Sequence, residues 1–133
     1  MVATVSRNIL YKDFDLNMRM HPTTGKLLVR KNNDAVKQGV RNLVLTGFYE
    51  RPYNPTFGCN IRQRLFELIG PATEMDVKSD IETAFANHID RAILLDVEVS
   101  TNIDGNALNV SIVYRPINMH LPVETTLVLE RAR

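Results

Sequence analysis

The chain has 133 residues, 44% hydrophobic and 23% charged, with a formal net charge of +1. That length suits one domain with a core of its own and excludes a disordered chain. The near-neutral charge argues against a dedicated nucleic-acid binder. The single cysteine, Cys59, excludes an internal disulfide and an all-cysteine zinc site. No apolar run approaches the roughly 20 residues that cross a bilayer, and the start lacks a secretory leader pattern, so folding in a reducing cytoplasm is expected.

Residues 1–16 read as an N-terminal arm and 17–133 as a single domain. Met18 to Met20 and Lys26 to Arg30 flank His21-Pro22-Thr23-Thr24-Gly25, a turn composition that predicts a short hairpin. Val36, Val40, Leu43 and Val44 then repeat at helical spacing. Asn33 or Asp34 is the expected cap and Gly47 the expected stop. Gly39 within this helix costs about 1 kcal/mol relative to Ala, which predicts close packing against it.

Glu50 to Gly58 reads Glu-Arg-Pro-Tyr-Asn-Pro-Thr-Phe-Gly, a segment that two prolines stiffen and keep out of a helix. Tyr53 and Phe57 are its expected apolar anchors. Ile61, Leu65, Leu68 and Ile69 predict a second helix, stopped by Gly70-Pro71. Thr73 with Asp76 resembles a capping box opening a third helix, whose buried face is Val77, Ile81, Ala84, Phe85 and His88.

The period then changes from helical to alternating. Ile93, Leu95, Val97 and Val99 predict a half-buried strand, and Asp104-Gly105 a hairpin turn. Leu108, Val110, Ile112 and Tyr114 line the return strand, and Val123, Thr125, Leu127 and Leu129 the next. The expected fold is α+β: three helices on one face of a small antiparallel sheet formed by a C-terminal β-meander, with an N-terminal arm and short hairpin.

Catalytic and metal patterns are weak. His21, His88, His120 and Cys59 lie in four different elements, without zinc-ligand spacing. Cys59 follows Gly58 near a helix start, where a thiolate is favoured, yet a small residue at a helix boundary, without chemistry, is the favoured reading. The candidate carboxyls for glycoside hydrolysis are Glu50, Glu67 and the acids of residues 74–82; that chemistry needs two carboxyls flanking a cleft, and nothing in the sequence places a second acid opposite Glu67. No glycine-rich phosphate loop is present. Charge is segregated: +6 over residues 1–70, −4 over 71–90 and −1 over 91–133. Solvated faces explain most of it, and docking against charged proteins suits the remainder.

The run Glu50-Arg51-Pro52-Tyr53-Asn54-Pro55-Thr56-Phe57-Gly58-Cys59-Asn60, continuing into Leu65-Phe66-Glu67, resembles the signature of the small baseplate wedge proteins of contractile-tailed phages. That family is shared with type VI secretion and other contractile injection systems. The resemblance extends over about residues 11–131 and includes Asp34-Ala35-Val36-Lys37-Gln38 and the acidic third helix. It implies a non-enzymatic structural subunit of the virion's tail baseplate, assembled in the host cytoplasm, with six copies around the tail axis. The implied partners are other wedge subunits and the tail sheath protein, whose first ring assembles on this platform by strand exchange. No cofactor, metal, nucleic acid, membrane or small-molecule substrate is implied. The implied interface residues are Glu50, Arg51, Pro52, Pro55, Phe57, Gly58 and Arg91. Arg91 keeps the last position of a Glu-Pro-Arg docking motif, which here reads Ile89-Asp90-Arg91. A peptidoglycan-degrading, lysozyme-like hydrolase is the alternative function.

Overall fold

The computed structural model describes residues 11–67, 70–102, 104 and 106–131. The first ten residues of the expected arm, Leu68 and Ile69 of the expected second helix, and Gly105 of the expected turn lie outside them. The elements are β1 (Lys12–Phe14), β2 (Val29–Lys31), α1 (Asn33–Leu45), α2 (Ile61–Arg64), α3 (Pro71–His88), β3 (Ala92–Asn102), β4 (Ala107–Pro116) and β5 (Val123–Glu130). A three-stranded antiparallel sheet ordered β3-β4-β5 carries the helices, and β1 and β2 form a separate two-stranded sheet. The fold is α+β, as expected.

The hairpin reaches further than its turn. Lys12, Asp13 and Phe14 pair with Lys31, Arg30 and Val29, and Met20 bridges Leu27 across the tip. Asp15 is buried between the strands, where its carboxylate accepts bonds from Arg19 Nε at 2.9 Å and Arg30 Nη2 at 3.0 Å. The bond from Arg19, assisted by Arg30, holds the Asp15 carboxyl below its usual range against the opposing effect of burial. Gln38 of α1 ties the hairpin to the body by donating to the Phe14 carbonyl at 2.6 Å.

In α1 the stripe Val36, Val40, Leu43 and Val44 is buried, together with Ala35. The cap is Asn32, not Asn33 or Asp34, and it caps without its side chain. Its Oδ1 accepts the Tyr11 N–H at 3.3 Å instead, so the oxygen that would serve the helix joins β1 to α1. The helix ends at Thr46 in extended backbone, one residue before Gly47.

The second helix is one turn long. After Arg64 the chain closes on i→i+3 bonds, Phe66 N–H to Gln63 O and Glu67 N–H to Arg64 O, which turn Phe66 and Glu67 outward. The third helix opens two residues before Thr73. Pro71 takes the first helical position, where its missing N–H and fixed φ cost nothing, and Gly70 precedes it. Pro71 therefore starts α3 as well as closing the preceding segment. Thr73, Val77, Ile81, Ala84 and Phe85 are buried, and His88 sits half-buried at the rim.

The first long strand departs from plain alternation. A β-bulge between Leu94 and Asp96 shifts the faces, so Ala92 and Leu94 point inward before Val97 and Val99 do. Ile93 and Leu95, expected inside, stand 48% and 51% exposed. An extra residue in one strand has this effect because side-chain direction has period two. Leu108, Val110, Ile112 and Tyr114 of β4 are fully buried against α1 and α3. The Tyr114 ring stacks obliquely on Phe85 at 6.2 Å, and its hydroxyl shares a buried hydrogen bond with Thr125 at 3.3 Å.

Candidate functional site

The proline segment is rigid because its backbone closes on itself. Tyr49 N–H donates to Pro55 O, Asn54 N–H to Arg51 O, Phe57 N–H to Asn54 O, and Cys59 N–H to Thr46 O. Gly58 makes that last approach possible. Its φ is +130°, and a Cβ there would lie 2.5 Å from the Thr46 carbonyl oxygen. No other residue type fits that backbone without displacing α1's end.

On this frame the Arg51 guanidinium lies 4.0 Å from the centroid of the Phe57 ring. The Phe57 ring also meets the His88 ring at 5.0 Å, and His88 Nε2 donates to Thr56 O at 3.0 Å. Phe57 is thus half-buried at the core's margin, whereas Tyr53 is fully exposed and anchors nothing.

Arg51, Phe57, His88, Ile89, Asp90 and Arg91 line a cleft of about 220 Å³, together with Asp13 of β1. Gly39 and Asn42 of α1 also line it. Nothing lies within 4 Å of where a Gly39 Cβ would stand. The helix interior carries glycine here, and the vacant side-chain position is part of the cleft rather than a point of close packing. Arg91 leans over Tyr11 at 5.3 Å, and its carbonyl accepts the Ile117 N–H at 3.0 Å.

Three of the sequence-selected residues therefore converge: Arg51, Phe57 and Arg91. Glu50 does not, since it faces Arg62 at 3.5 Å. Pro52 and Pro55 are exposed on the outer side of the loop, and Gly58 is buried beneath it. Gly39, Asn42 and His88 complete the cleft without having been selected for it. The glycine in mid-helix was the one signal available.

Cys59 is a core residue. Burial, reinforced by Asp80, pushes its thiol up to about 12, which leaves no thiolate for catalysis. Arg64 collects Glu67, Asp76 and Asp80 at 3.3, 3.4 and 3.3 Å, and the bonds to Glu67 and Asp80 raise its own proton affinity. Glu67 is exposed, and its partner among the described residues is Arg64 rather than a second carboxyl across a cleft.

The two edges of the main sheet differ. On β3, the Thr101 N–H donates away from β4 to Glu74 Oε1 at 2.9 Å, and the Thr101 hydroxyl donates to the same oxygen at 2.7 Å. The Val97 N–H is taken by Asp96 Oδ1 at 2.8 Å. Two of this edge's outward N–H groups are thus taken by side chains. Thr101 opposes Leu108, which opposes Leu129. Antiparallel alternation then has Leu108 exchange its backbone bonds with Leu129 and turns the backbones of Glu124, Thr126, Val128 and Glu130 outward. Among the described residues these outward groups of β5 have no partner.

Comparison with known proteins gives a consistent outcome. Residues 30–119 match the sequence model of the baseplate wedge protein gp25 family. The chain is 32% identical over 114 residues to the baseplate wedge protein gp25 of Enterobacteria phage T4, covering 84% of this chain and 83% of that one. The fold is shared with a candidate tail lysozyme from Geobacter sulfurreducens, at a TM-score of 0.71 and 22% identity over 81% of this chain and 98% of that one. It is also shared with a chain of the anti-feeding prophage baseplate, at 0.63 and 21% identity over 90% and 85%. A chain of the post-contraction pyocin R2 baseplate matches at 0.54 and 16% identity over 86% and 98%.

Proposed function

The chain belongs to the baseplate wedge protein gp25 family, a structural component of the tail baseplate and not an enzyme, and from that premise we propose how it holds its neighbours. It docks on other wedge subunits through the Arg51–Phe57–Arg91 cleft and presents β5 as the platform for the first sheath ring.

The observation that carries this reading is the contrast between the sheet edges. On β3 two outward N–H groups, those of Thr101 and Val97, are taken by Glu74 and Asp96, whereas among the described residues the four outward positions of β5 have no backbone partner. An extended sheath segment laid along β5 would pair backbone groups that otherwise bond only to water. Exposed Glu124 and Glu130 on that strand discourage indiscriminate pairing in the absence of the partner. The cleft adds a complementary grip. Arg91 enters no ion pair with a described carboxylate, and the Arg51 guanidinium is stacked rather than salt-bridged. That neither guanidinium is committed to an internal ion pair supports docking of an acidic group from a neighbouring wedge subunit, in multiple copies around the tail axis.

Co-expression with the wedge proteins and the sheath subunit, followed by size-exclusion chromatography with light scattering, tests the reading. A defined complex containing this chain and recruiting sheath supports it. A fully formed wedge beside a free monomer of this chain overturns it.

A further inference from the structure

The hairpin carries a second surface. Strand alternation sends Asp13, Leu28 and Arg30 toward the body, as Gln38's contact with Asp13 shows. The opposite face presents Phe14 beside Val29 and Met20 beside Leu27, each 36–70% exposed. At the end of that face Lys12 stands directly opposite Lys31. Like charges paired across a strand are unfavourable. The chain's own acids do not relieve them: Asp15 is held by Arg19 and Arg30, and Asp13 faces the Phe14 N–H and Gln38. Among the described residues neither lysine forms an ion pair.

An ordered apolar row ending in an unrelieved pair of lysines has the complementarity of an interface rather than of a solvated edge. The buried Asp15 node fixes the strands in advance, so little ordering is lost on contact. At the tip of the row the unbranched, flexible Met20 side chain, beside Leu27, adapts readily to an irregular partner surface.

We propose that this face docks a segment of a neighbouring wedge subunit that lays apolar side chains over Phe14, Val29, Met20 and Leu27 and sets a carboxylate between Lys12 and Lys31. The surface is separate from both the cleft and the β5 edge. The inference rests on baseplate membership but not on sheath pairing. The lysines lie at one end of the row instead of flanking it, which suits a single acidic residue in a protein segment better than the diffuse charge of a lipid surface.

The test is a benzophenone photo-crosslinker placed at Met20, activated in baseplates assembled from the co-expressed wedge and sheath proteins, with the joined peptide sequenced. The expected product is a wedge-subunit peptide of apolar residues ending in Asp or Glu. In the same assembly, K12E/K31E is expected to lower incorporation about tenfold with an unchanged circular dichroism spectrum, and a Leu121→Lys control to leave it unaltered. Crosslinking to residues 1–10 of the same chain, to a second copy or to sheath overturns the proposal. So does the absence of any crosslink in baseplates that contain the chain, full incorporation of K12E/K31E, or binding of the wild-type chain to phosphatidylserine vesicles that the double variant loses. If the wild-type chain is absent from the baseplate altogether, the membership premise falls and the proposal with it. Correct wedges that fail to recruit sheath count against the β5 reading alone.

Discussion

Glu74 of α3 holds both the backbone N–H and the hydroxyl of Thr101 in β3, at 2.9 and 2.7 Å. One carboxylate oxygen thus fastens a helix to a strand and takes an outward N–H of the sheet edge on that side. Glu74→Ala is expected to destabilise the fold by about 1–2 kcal/mol, the usual cost of losing charge-assisted bonds to a half-buried donor. It should also expose the β3 edge, so light scattering should detect self-association that the wild type lacks at the same concentration. Urea denaturation and light scattering together check both effects.

Gly39 separates stability from assembly. Gly39→Leu replaces a poor helix former and meets no atom within 4 Å of its Cβ, so the isolated chain should gain up to about 1 kcal/mol. The new side chain occupies the cleft, so wedge incorporation should fall. Thermal melting and co-purification measure the two outcomes, which must move in opposite directions.

Phe57 and Arg91 should behave differently at the same cleft. Phe57→Ala is expected to cost about 2 kcal/mol of stability, below the value for a fully buried ring because Phe57 is only half-buried. Arg91→Glu should leave the melting temperature unchanged and weaken wedge assembly. A stable, unassembled Arg91 variant beside a destabilised Phe57 variant identifies which residue acts outward.

The hairpin should be acid-sensitive. The Asp15 carboxyl is held below the ordinary aspartate range by the Arg19 bond, assisted by Arg30. A depressed native value means that the contribution is complete above the unfolded value and is lost as pH falls through the native one. The Leu28 amide, bonded to Arg19 O at 2.8 Å, should keep its native NMR shift at pH 6 and lose it in strong acid, before the main sheet melts. Asp15→Asn should remove that dependence.

Much of this architecture was legible in the residues themselves. The stripes of α1, α3, β4 and β5 were visible because one buried face imposes one period on the sequence. The bulge at Leu94 was not, because Ile93, Leu95, Val97 and Val99 alternate smoothly and only the pairing with β4 reveals the extra residue. The start of α3 was displaced because Pro71 suits both the end of one segment and the first position of the next. Arg51, Phe57 and Arg91 were each visible as positions, but their meeting around Gly39 depends on how α1, the proline segment and the α3–β3 junction pack. The capping of β3 by Glu74 spans 27 residues and leaves no local mark.

The most direct test of sheath docking on β5 is Thr126→Pro, compared with Thr125→Pro. The Thr126 N–H points away from β4, so proline there removes an outward donor and leaves the β4–β5 ladder intact. Thr125 pairs with Ile112 and its N–H belongs to the ladder, so proline there should unfold the sheet. The account predicts that the Thr126 variant folds, enters the wedge and fails to nucleate the first sheath ring in an electron-microscopy assembly assay. Sheath rings of normal yield on wedges carrying the Thr126 variant would contradict it.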